Sequence, residues 1–190
     1  MDTFKAHLDK FISVNDEEYA SVLSFFQVME VKKKEDLMLA GEVCRSMYFV
    51  SKGCLRKFFV NEKGVEQTTE FAIENWWITD TFAYERQTPS DFCIQAVERS
   101  TILVINLHSQ ELLLQKHPIM ERYFRMIYQR AYAASERRIR YLYEMSREEL
   151  YVHFSTQYPW FIQRIPQYLI ASFLGFTPEY LSEIRAKLRS

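Results

Sequence analysis

Residues 118–145 contain no glycine and, after Pro118, no proline. A stretch that long without a breaker constrains the chain to one long helix there. Along it Met120, Phe124, Ile127, Ala131, Ala134, Arg138, Tyr141 and Met145 recur at alternating steps of four and three, apolar at seven of the eight positions. That is a heptad-like seam. A helix packed on its own core shows a wider stripe. A narrow seam on so long a helix predicts pairing with a second helix, a second copy of the chain in preference to a buried monomer helix. Ala131 and Ala134 are small enough to let two such helices approach closely. Arg122, Arg125, Arg130, Arg137 and Arg140 fall on the other faces and read as solvated.

Upstream the texture is different. Residues 4–29 read as helical, with Asn15 or Asp16 as an N-cap ahead of acidic first-turn residues. Between about 28 and 106 the chain breaks into short β-branched and aromatic runs. Met47–Val50 ends at Ser51-Lys52-Gly53, and Cys54–Val60 ends at Asn61-Glu62-Lys63-Gly64. Gln67–Ile73 and Ile102–Ile105 complete the series. Runs of this length and spacing predict a β-sandwich or barrel. Ser109–Leu113 reads as a short capped helix ending near His117-Pro118.

Composition excludes several classes. Only 4 of 190 residues are Gly and 5 are Pro, which rules out collagen-like and low-complexity chains. Cys44, Cys54 and Cys93 are odd in number and never spaced as C-x-x-C, so they read as buried free thiols in a reducing cytosol. His7, His108, His117 and His153 form no metal-binding pair, and no nucleophile elbow, P-loop or dinucleotide fingerprint is present. No metal site and no enzymatic activity are expected. The start, Met1 to His7, lacks the pattern of a secretory signal, and no apolar stretch is long enough to span a membrane. A cytoplasmic protein is expected.

The net charge of −1 hides an asymmetry. Residues 1–120 carry 13 basic and 18 acidic residues, whereas 121–190 carry 11 and 7. An acidic front and basic rear accompany anionic partners in some proteins. The excess is local, however: residues 121–147 hold 7 basic and 3 acidic residues, and 148–190 hold 4 of each.

The C-terminal stretch carries the most specific pattern. Ser146-Arg147-Glu148-Glu149 is a capping box that starts a helix of about 147–157. A helix over 167–174 follows and is broken by Gly175 as a C′ residue. Thr177-Pro178-Glu179 then supplies an N-cap, a proline at N1 and a first-turn acid for a last helix running to about Leu188. Leu169 and Phe173 on one helix, and Leu181, Ile184 and Leu188 on the other, form the apolar set, with Ala171 facing inward near the turn. This spacing fits a DNA-binding helix-turn-helix and equally a plain αα-hairpin used for packing.

Pro166 to Arg185 closely resembles the helix-turn-helix of the Crp/Fnr transcription regulators, most of all the short members of Bacteroidetes-type bacteria. Ser51–Lys57 resembles the first hairpin of that family's cyclic-nucleotide-binding β-roll, and Ile94–Ser100 resembles its later strand. Residues 118–145 resemble its dimerisation helix. The resemblance implies an α+β chain with three parts. These are a β-roll sensor at 1–117 (a double-stranded β-helix, cupin-like) with N-terminal helices, a dimerisation helix at 118–145, and a helix-turn-helix domain at 146–190. Met120, Phe124, Ile127, Ala131, Ala134 and Tyr141 would line the dimer helix. It also implies a homodimer on palindromic double-stranded DNA, with RNA polymerase and a small-molecule effector as further partners.

Three departures from the family pattern qualify this. The family's phosphate cassette has a Gly-Glu pair and later an Arg-Ser pair; here Thr79-Asp80 and Ser90-Asp91 stand there. Asp80 retains the ability to hold a ribose, but no arginine meets the phosphate, Asp91 adds repulsion, and Arg86 is the one candidate to compensate. On the long helix, Ala134-Ser135 has lost one of the hydroxyls that meet the adenine. Cyclic AMP binding is therefore expected to be weak or absent, and the effector is unassigned. Trp76, Trp77, Phe82 and Tyr84 beside the cassette predict either an aromatic-lined pocket or ordinary core. Second, Glu183 replaces a guanine-reading arginine; a carboxylate accepts from cytosine N4 and cannot donate to guanine. Glu179 is a further base-edge candidate, while Arg185, Lys187 and Arg189 are expected on phosphates, with Gln167, Thr177 and Ser182 as further donors. Third, the sequence stops at Ser190, so the wing hairpin of longer members is expected to be missing.

The leading expectation is thus a DNA-binding regulator that senses an effector through a degenerate β-roll. The alternative is an effector-binding or protein-interaction module whose DNA binding has weakened or gone. An enzyme on a cupin-like barrel fits least, because no metal-ligand spacing is present.

Overall fold

The computed structural model describes residues 2–188. The chain forms two compact units: residues 1–59 with 69–129, and residues 60–68 with 130–190. This division differs from the three segments expected, because the long helix is shared and a hairpin tip clusters with the C-terminal helices.

The first unit opens with α1 (Asp2–Leu8) and α2 (Asp16–Leu23). Asn15 caps α2 in a complete capping box: its side chain accepts from Glu18 N–H, and Glu18 accepts from Asn15 N–H. The single helical stretch expected over 4–29 is therefore two helices, and residues from Gln27 onward already belong to a strand.

Eight strands follow: β1 (Gln27–Val31), β2 (Asp36–Met38), β3 (Ser46–Lys52), β4 (Leu55–Val60), β5 (Glu66–Ala72), β6 (Trp77–Ile78), β7 (Cys93–Ala96) and β8 (Ser100–Asn106). They form two four-stranded sheets ordered β1-β8-β3-β6 and β2-β7-β4-β5. A single-turn helix α3 (Thr81–Arg86) interrupts the strands between β6 and β7. Met47, Tyr48, Phe49 and Val50 are buried consecutively. Burial on successive positions means that both faces of β3 are covered, one by sheet and one by helix.

Two helices complete the order on this side. The helix α4 (Leu107–Lys116) is capped by Asn106, three residues earlier than Ser109. The long helix α5 (Ile119–Glu144) has 26 residues, about 39 Å at 1.5 Å per residue. Its first turns carry Met120, Tyr123 and Phe124 into the core of the first unit.

An aromatic cluster joins these pieces. The Phe4 ring lies 4.9 Å from Phe49, 5.2 Å from Phe26 and 6.1 Å from both Trp77 and Tyr123. Trp77 Nε1 donates to the Tyr123 hydroxyl at 2.8 Å, and that hydroxyl is 2.9 Å from His7 Nδ1. Burial pushes the Tyr123 phenol well above the usual tyrosine range, as it does Tyr84, and pushes Tyr48 up to about 12.

In the second unit α6 (Arg147–Gln157) begins at Ser146 with the predicted capping box. A short helix α7 (Pro159–Arg164) leads to α8 (Gln167–Leu174) and α9 (Pro178–Lys187). Leu169, Ile170, Ala171, Leu174, Phe176, Leu181 and Ile184 are buried. Phe173 is half-buried and Leu188 is exposed, so Leu188 leaves the apolar set and Ile170, Leu174 and Phe176 join it. Among the described residues none after Asn106 is in a strand.

Gly53 turns β3 into β4 at φ 103°, and a Cβ there would stand 2.2 Å from Ser100 Oγ. Ser100 is held by Cys54 N–H at 3.1 Å and is buried, so it cannot yield cheaply. Gly53→Ala is expected to cost at least about 2 kcal/mol in urea unfolding. A loss within experimental error contradicts that turn geometry.

The buried tyrosines make a second expectation. A phenol whose folded value lies above the unfolded value near 10 contributes stability that is complete below about pH 10 and is lost as pH rises through the folded value. With Tyr48 near 12 and Tyr84 and Tyr123 also raised, that window lies above about pH 10. Phenolate absorbance is expected to show fewer than the full 12 tyrosines titrating in native buffer at about pH 11, and all of them in urea. One common step in native buffer contradicts this.

Candidate functional site

The sequence-predicted residues separate into a cassette in the first unit and a helical pair in the second. Thr79, Asp80 and Ser90 are brought together, and all three are buried. Asp80 follows β6 and caps α3, its Oδ1 accepting from Ala83 N–H at 3.3 Å. Its other oxygen accepts from Ser90 Oγ at 2.7 Å. Ser90 Oγ in turn accepts from Phe92 N–H at 3.0 Å, which closes the loop that follows α3. Thr79 Oγ1 donates to the Ser46 carbonyl at 3.0 Å and lies 3.3 Å from Cys44 Sγ.

Two residues that the sequence reading passed over complete this site. Lys57 of β4 donates to the Thr79 carbonyl at 2.8 Å and pairs with Glu70 Oε2 of β5 at 2.7 Å. The Lys57 side chain is 15% exposed and Glu70 is 35% exposed, so the pair is partly desolvated. The Phe92 ring centroid lies 5.5 Å from Lys57 Nζ. Beside it Arg56, buried, donates twice to Gln95 Oε1, at 2.7 and 3.1 Å, and stacks on Phe58. The signal for both was present in the sequence. Two adjacent cations, Arg56 and Lys57, interrupt an otherwise apolar strand, where an unpaired charge would be costly.

Arg86 and Asp91 do not join the cassette. Arg86 is exposed on α3 with its guanidinium 4.3 Å from the Phe82 ring centroid, and Asp91 is exposed. The repulsion expected from Asp91 and the compensation expected from Arg86 therefore find no geometry here. Of the four aromatics, Trp77 and Tyr84 are core, whereas Trp76 and Phe82 are 51% and 62% exposed. Ala134 and Ser135 belong to the second unit and are exposed on α5. The cassette's polar atoms are engaged with one another: an entering anion competes with Glu70 for Lys57, and an entering hydroxyl competes with Ser90 and a helix cap for Asp80.

In the second unit Gly175 adopts φ 77°, and the Thr177 side chain accepts from Tyr180 N–H at 3.2 Å to start α9. Leu181 and Ile184 point into the domain core, which leaves Thr177, Glu179, Ser182, Glu183 and Lys187 exposed and Gln167 and Arg185 half-buried. Ser182 Oγ donates to the Pro178 carbonyl at 3.0 Å. Lys187 pairs with Glu148 of α6 at 2.8 Å. Arg189 lies outside the described residues.

The α5 seam divides along the helix. Met120 and Phe124 are buried in the chain's own core, and Ile127 is half-buried against it. Further along, Arg138 reaches the Phe173 carbonyl at 2.7 Å, and the Tyr141 ring packs 4.5 Å from His153, so this side of the helix is used within the second unit. Ala131 is exposed. The large apolar residues left open are Tyr132, Ile139, Leu142 and Tyr143, at 67%, 53%, 52% and 89% exposure. Tyr132, Ile139 and Leu142 share a heptad spacing one position beyond the expected seam. Intramolecular packing occupies part of the heptad face, at Met120, Phe124, Arg138 and Tyr141, and leaves Ala131 and Ala134 exposed.

All three cysteines are free and buried. Among the described residues no group of three or more His, Cys, Asp or Glu side chains is placed to hold a metal ion, and no helix is long and apolar enough to cross a membrane.

Residues 28–117 match the family model described as the cyclic nucleotide-binding domain. No curated protein matches the chain in sequence. Several solved structures share its fold. A CooA mutant from Carboxydothermus hydrogenoformans superposes with a TM-score of 0.70 at 17% identity, covering 94% of this chain and 86% of that one. FixK2 from Bradyrhizobium japonicum gives 0.70 at 16% identity, covering 86% and 84%. CLP from Xanthomonas campestris, described as a c-di-GMP responsive global regulator, gives 0.69 at 12% identity, covering 92% of each chain. The chain therefore pairs a region matching the cyclic nucleotide-binding domain with the overall fold of these proteins.

Proposed function

We infer that the chain is a homodimeric, DNA-binding transcription regulator of the Crp/Fnr type, whose β-roll responds to an effector other than cyclic AMP. The observation that carries this reading is the α8–Gly175–α9 pair. Its apolar residues are buried, while Thr177, Glu179, Ser182 and Glu183 form an open polar side on the second helix. Such a helix can enter a major groove with its N-terminal part toward base edges. Glu183 accepts from cytosine N4, and Glu179 does the same one turn earlier; Gln167, Arg185, Lys187 and Arg189 are the phosphate contacts. The open residues Tyr132, Ile139 and Leu142 on α5 supply the dimer seam, with Ala131 allowing close approach. RNA polymerase is a further partner on this reading if the chain acts as an activator, and the cytoplasm is the compartment.

A second reading is supported by the charges of α9. Two exposed carboxylates stand on the base-facing side, and Lys187 is held by Glu148. Both features weaken attraction to a polyanion, which favours a module whose DNA binding has declined.

Selection from a random duplex pool separates the two. The regulator reading expects enrichment of a two-fold-repeated half-site with cytosines in the bases that face Glu183, and Glu183→Arg is expected to shift those positions toward guanine. Enrichment of no repeat at any salt concentration would falsify DNA recognition. A second measurement addresses the effector. Because Asp80 and Lys57 already have partners inside the β-roll, calorimetric titration with cyclic AMP is expected to give no binding tighter than about 1 mM; micromolar affinity contradicts this.

A further inference from the structure

Within the second unit, the 60–68 hairpin segment and the first helix of the helical pair meet at one side chain. β5 is the last strand of its sheet, so one side of it presents backbone groups to no strand neighbour. Successive residues of a strand point their backbone groups to opposite sides. The Val65 carbonyl accepts from Asn61 N–H across the hairpin at 3.0 Å, so Glu66 and Thr68 point away from β4. Ser172 of α8 takes both. Its Oγ donates to the Glu66 carbonyl at 2.8 Å and accepts from Thr68 N–H at 2.8 Å, with Thr68 Oγ1 at 3.2 Å. One hydroxyl stands in for a residue of a neighbouring strand.

The next residue is held as well. Arg138 of α5 donates to the Phe173 carbonyl at 2.7 Å, and its guanidinium lies 3.9 Å from the Phe173 ring centroid. That carbonyl belongs to the last turn of α8, where helix carbonyls lack intrahelical partners and a cation is favoured. The end of α8 is thus gripped at Ser172 and Phe173, just before the Gly175 turn that aims α9.

We propose that the hairpin tip, residues 60–68, is a latch on the helix-turn-helix, closed through Ser172 in the DNA-free state and released when DNA binds. The inference rests on the DNA-binding reading above. Charge gives the direction. The tip carries Glu62 and Glu66 against one lysine, Lys63, and all three are exposed. The Ser172 contact holds that acidic tip beside the helical pair, where an approaching polyanion meets its field. Strength fits as well. The Ser172 contacts join neutral groups, each of modest net worth, so a partner of ordinary affinity can open them by shifting the population.

The test uses the full chain with Ser172→Ala and Ser172→Thr. Hydrogen exchange over the β5 region and anisotropy on a selected duplex are the two readouts. Ser172→Ala is expected to speed exchange at the Thr68 amide and to tighten DNA binding about tenfold, the scale set by losing hydrogen bonds of this kind. Ser172→Thr is expected to restore both. Unchanged exchange overturns the contact. Equal or weaker DNA binding by Ser172→Ala overturns the latch while DNA recognition stands. If the wild-type chain selects no duplex, both readings fall together. If Ser172→Ala does not fold, Thr68→Val, which removes the Thr68 Oγ1 contact with Ser172, carries the test: tighter binding is expected, and unchanged affinity overturns the latch.

Discussion

The hydroxyl of Tyr123 is the point on which the first unit depends. It accepts from Trp77, which leads into the cassette, and it reaches His7 on the N-terminal helix. Its own backbone belongs to α5. One buried phenol therefore ties strand, N-terminal helix and long helix together by hydrogen bonds, while Phe4, Phe49 and Phe124 fill the space around it. The polar core of this cluster matters more than its area. Rings pack in many arrangements at similar energy, but a buried hydroxyl, indole and imidazole must meet in one geometry or leave a polar group without a partner. The start of α5 is fixed by that requirement, and so is the register in which the rest of the helix projects its side chains.

That register explains why part of the heptad face is occupied within the chain. A heptad pattern in sequence shows which residues share a helix face; it does not show which face the fold uses first. Met120 and Phe124 fit the seam, yet the Tyr123 anchor turns them into the core. Arg138 and Tyr141 fit it too, but they meet Phe173 and His153. Ala131 and Ala134 of that face stay exposed, and so do Tyr132, Ile139 and Leu142 one position over. The same competition operates in the cassette. Asp80 is a carboxylate at the position where the resemblance puts a ribose contact, and the chain spends it on a helix cap and on Ser90. Lys57 provides a cation without an arginine in the cassette motif, and Glu70 already faces it.

Legibility followed the range of the forces involved. Of the C-terminal helices, α6, α8 and α9 were readable nearly to the residue, because the Ser146 box, the Gly175 turn and the Thr177 cap act over three or four positions, whereas α7, which has no side-chain cap, was not. The strands β3, β4 and β8 were readable as apolar runs, and β5 as a Thr- and Phe-bearing run between turn signals. The strands β1, β2 and β6 were not: they lie at sheet edges, and each is held by a partner far away in sequence. Residues 27–29 even read as helix, since Phe25 and Phe26 continue an apolar pattern that ends only because β1 pairs with β8. Thr79, Asp80 and Ser90 were found together through the family resemblance. Lys57 left a signal, a cation inside an apolar strand, but its partner Glu70 did not, because their pairing joins two strands of a hairpin and leaves no local motif. Ser172 was missed for a related reason: its partners are backbone atoms, whose positions no side-chain pattern records.

On the DNA-binding reading proposed above, charge sets a limit on how the chain would hold DNA. Phosphate binding by side chains scales with the cations placed at the backbone. The C-terminal 43 residues, 148–190, balance 4 basic against 4 acidic residues, and one of those cations, Lys187, is engaged by Glu148. The exposed arginines are concentrated instead on α5. Neutral donors and helix N-termini must then carry much of the positioning: the amide N–H groups that open α8 and α9, with the hydroxyl of Thr177 and the amide of Gln167. Such contacts release few counterions, so on that reading affinity would fall only gently as salt rises. A recognition unit of this kind discriminates by base contacts and by the energy of placing α9. That makes the hold on α8, at Ser172 and Phe173, a larger fraction of the binding balance than it would be in a domain anchored by many cations.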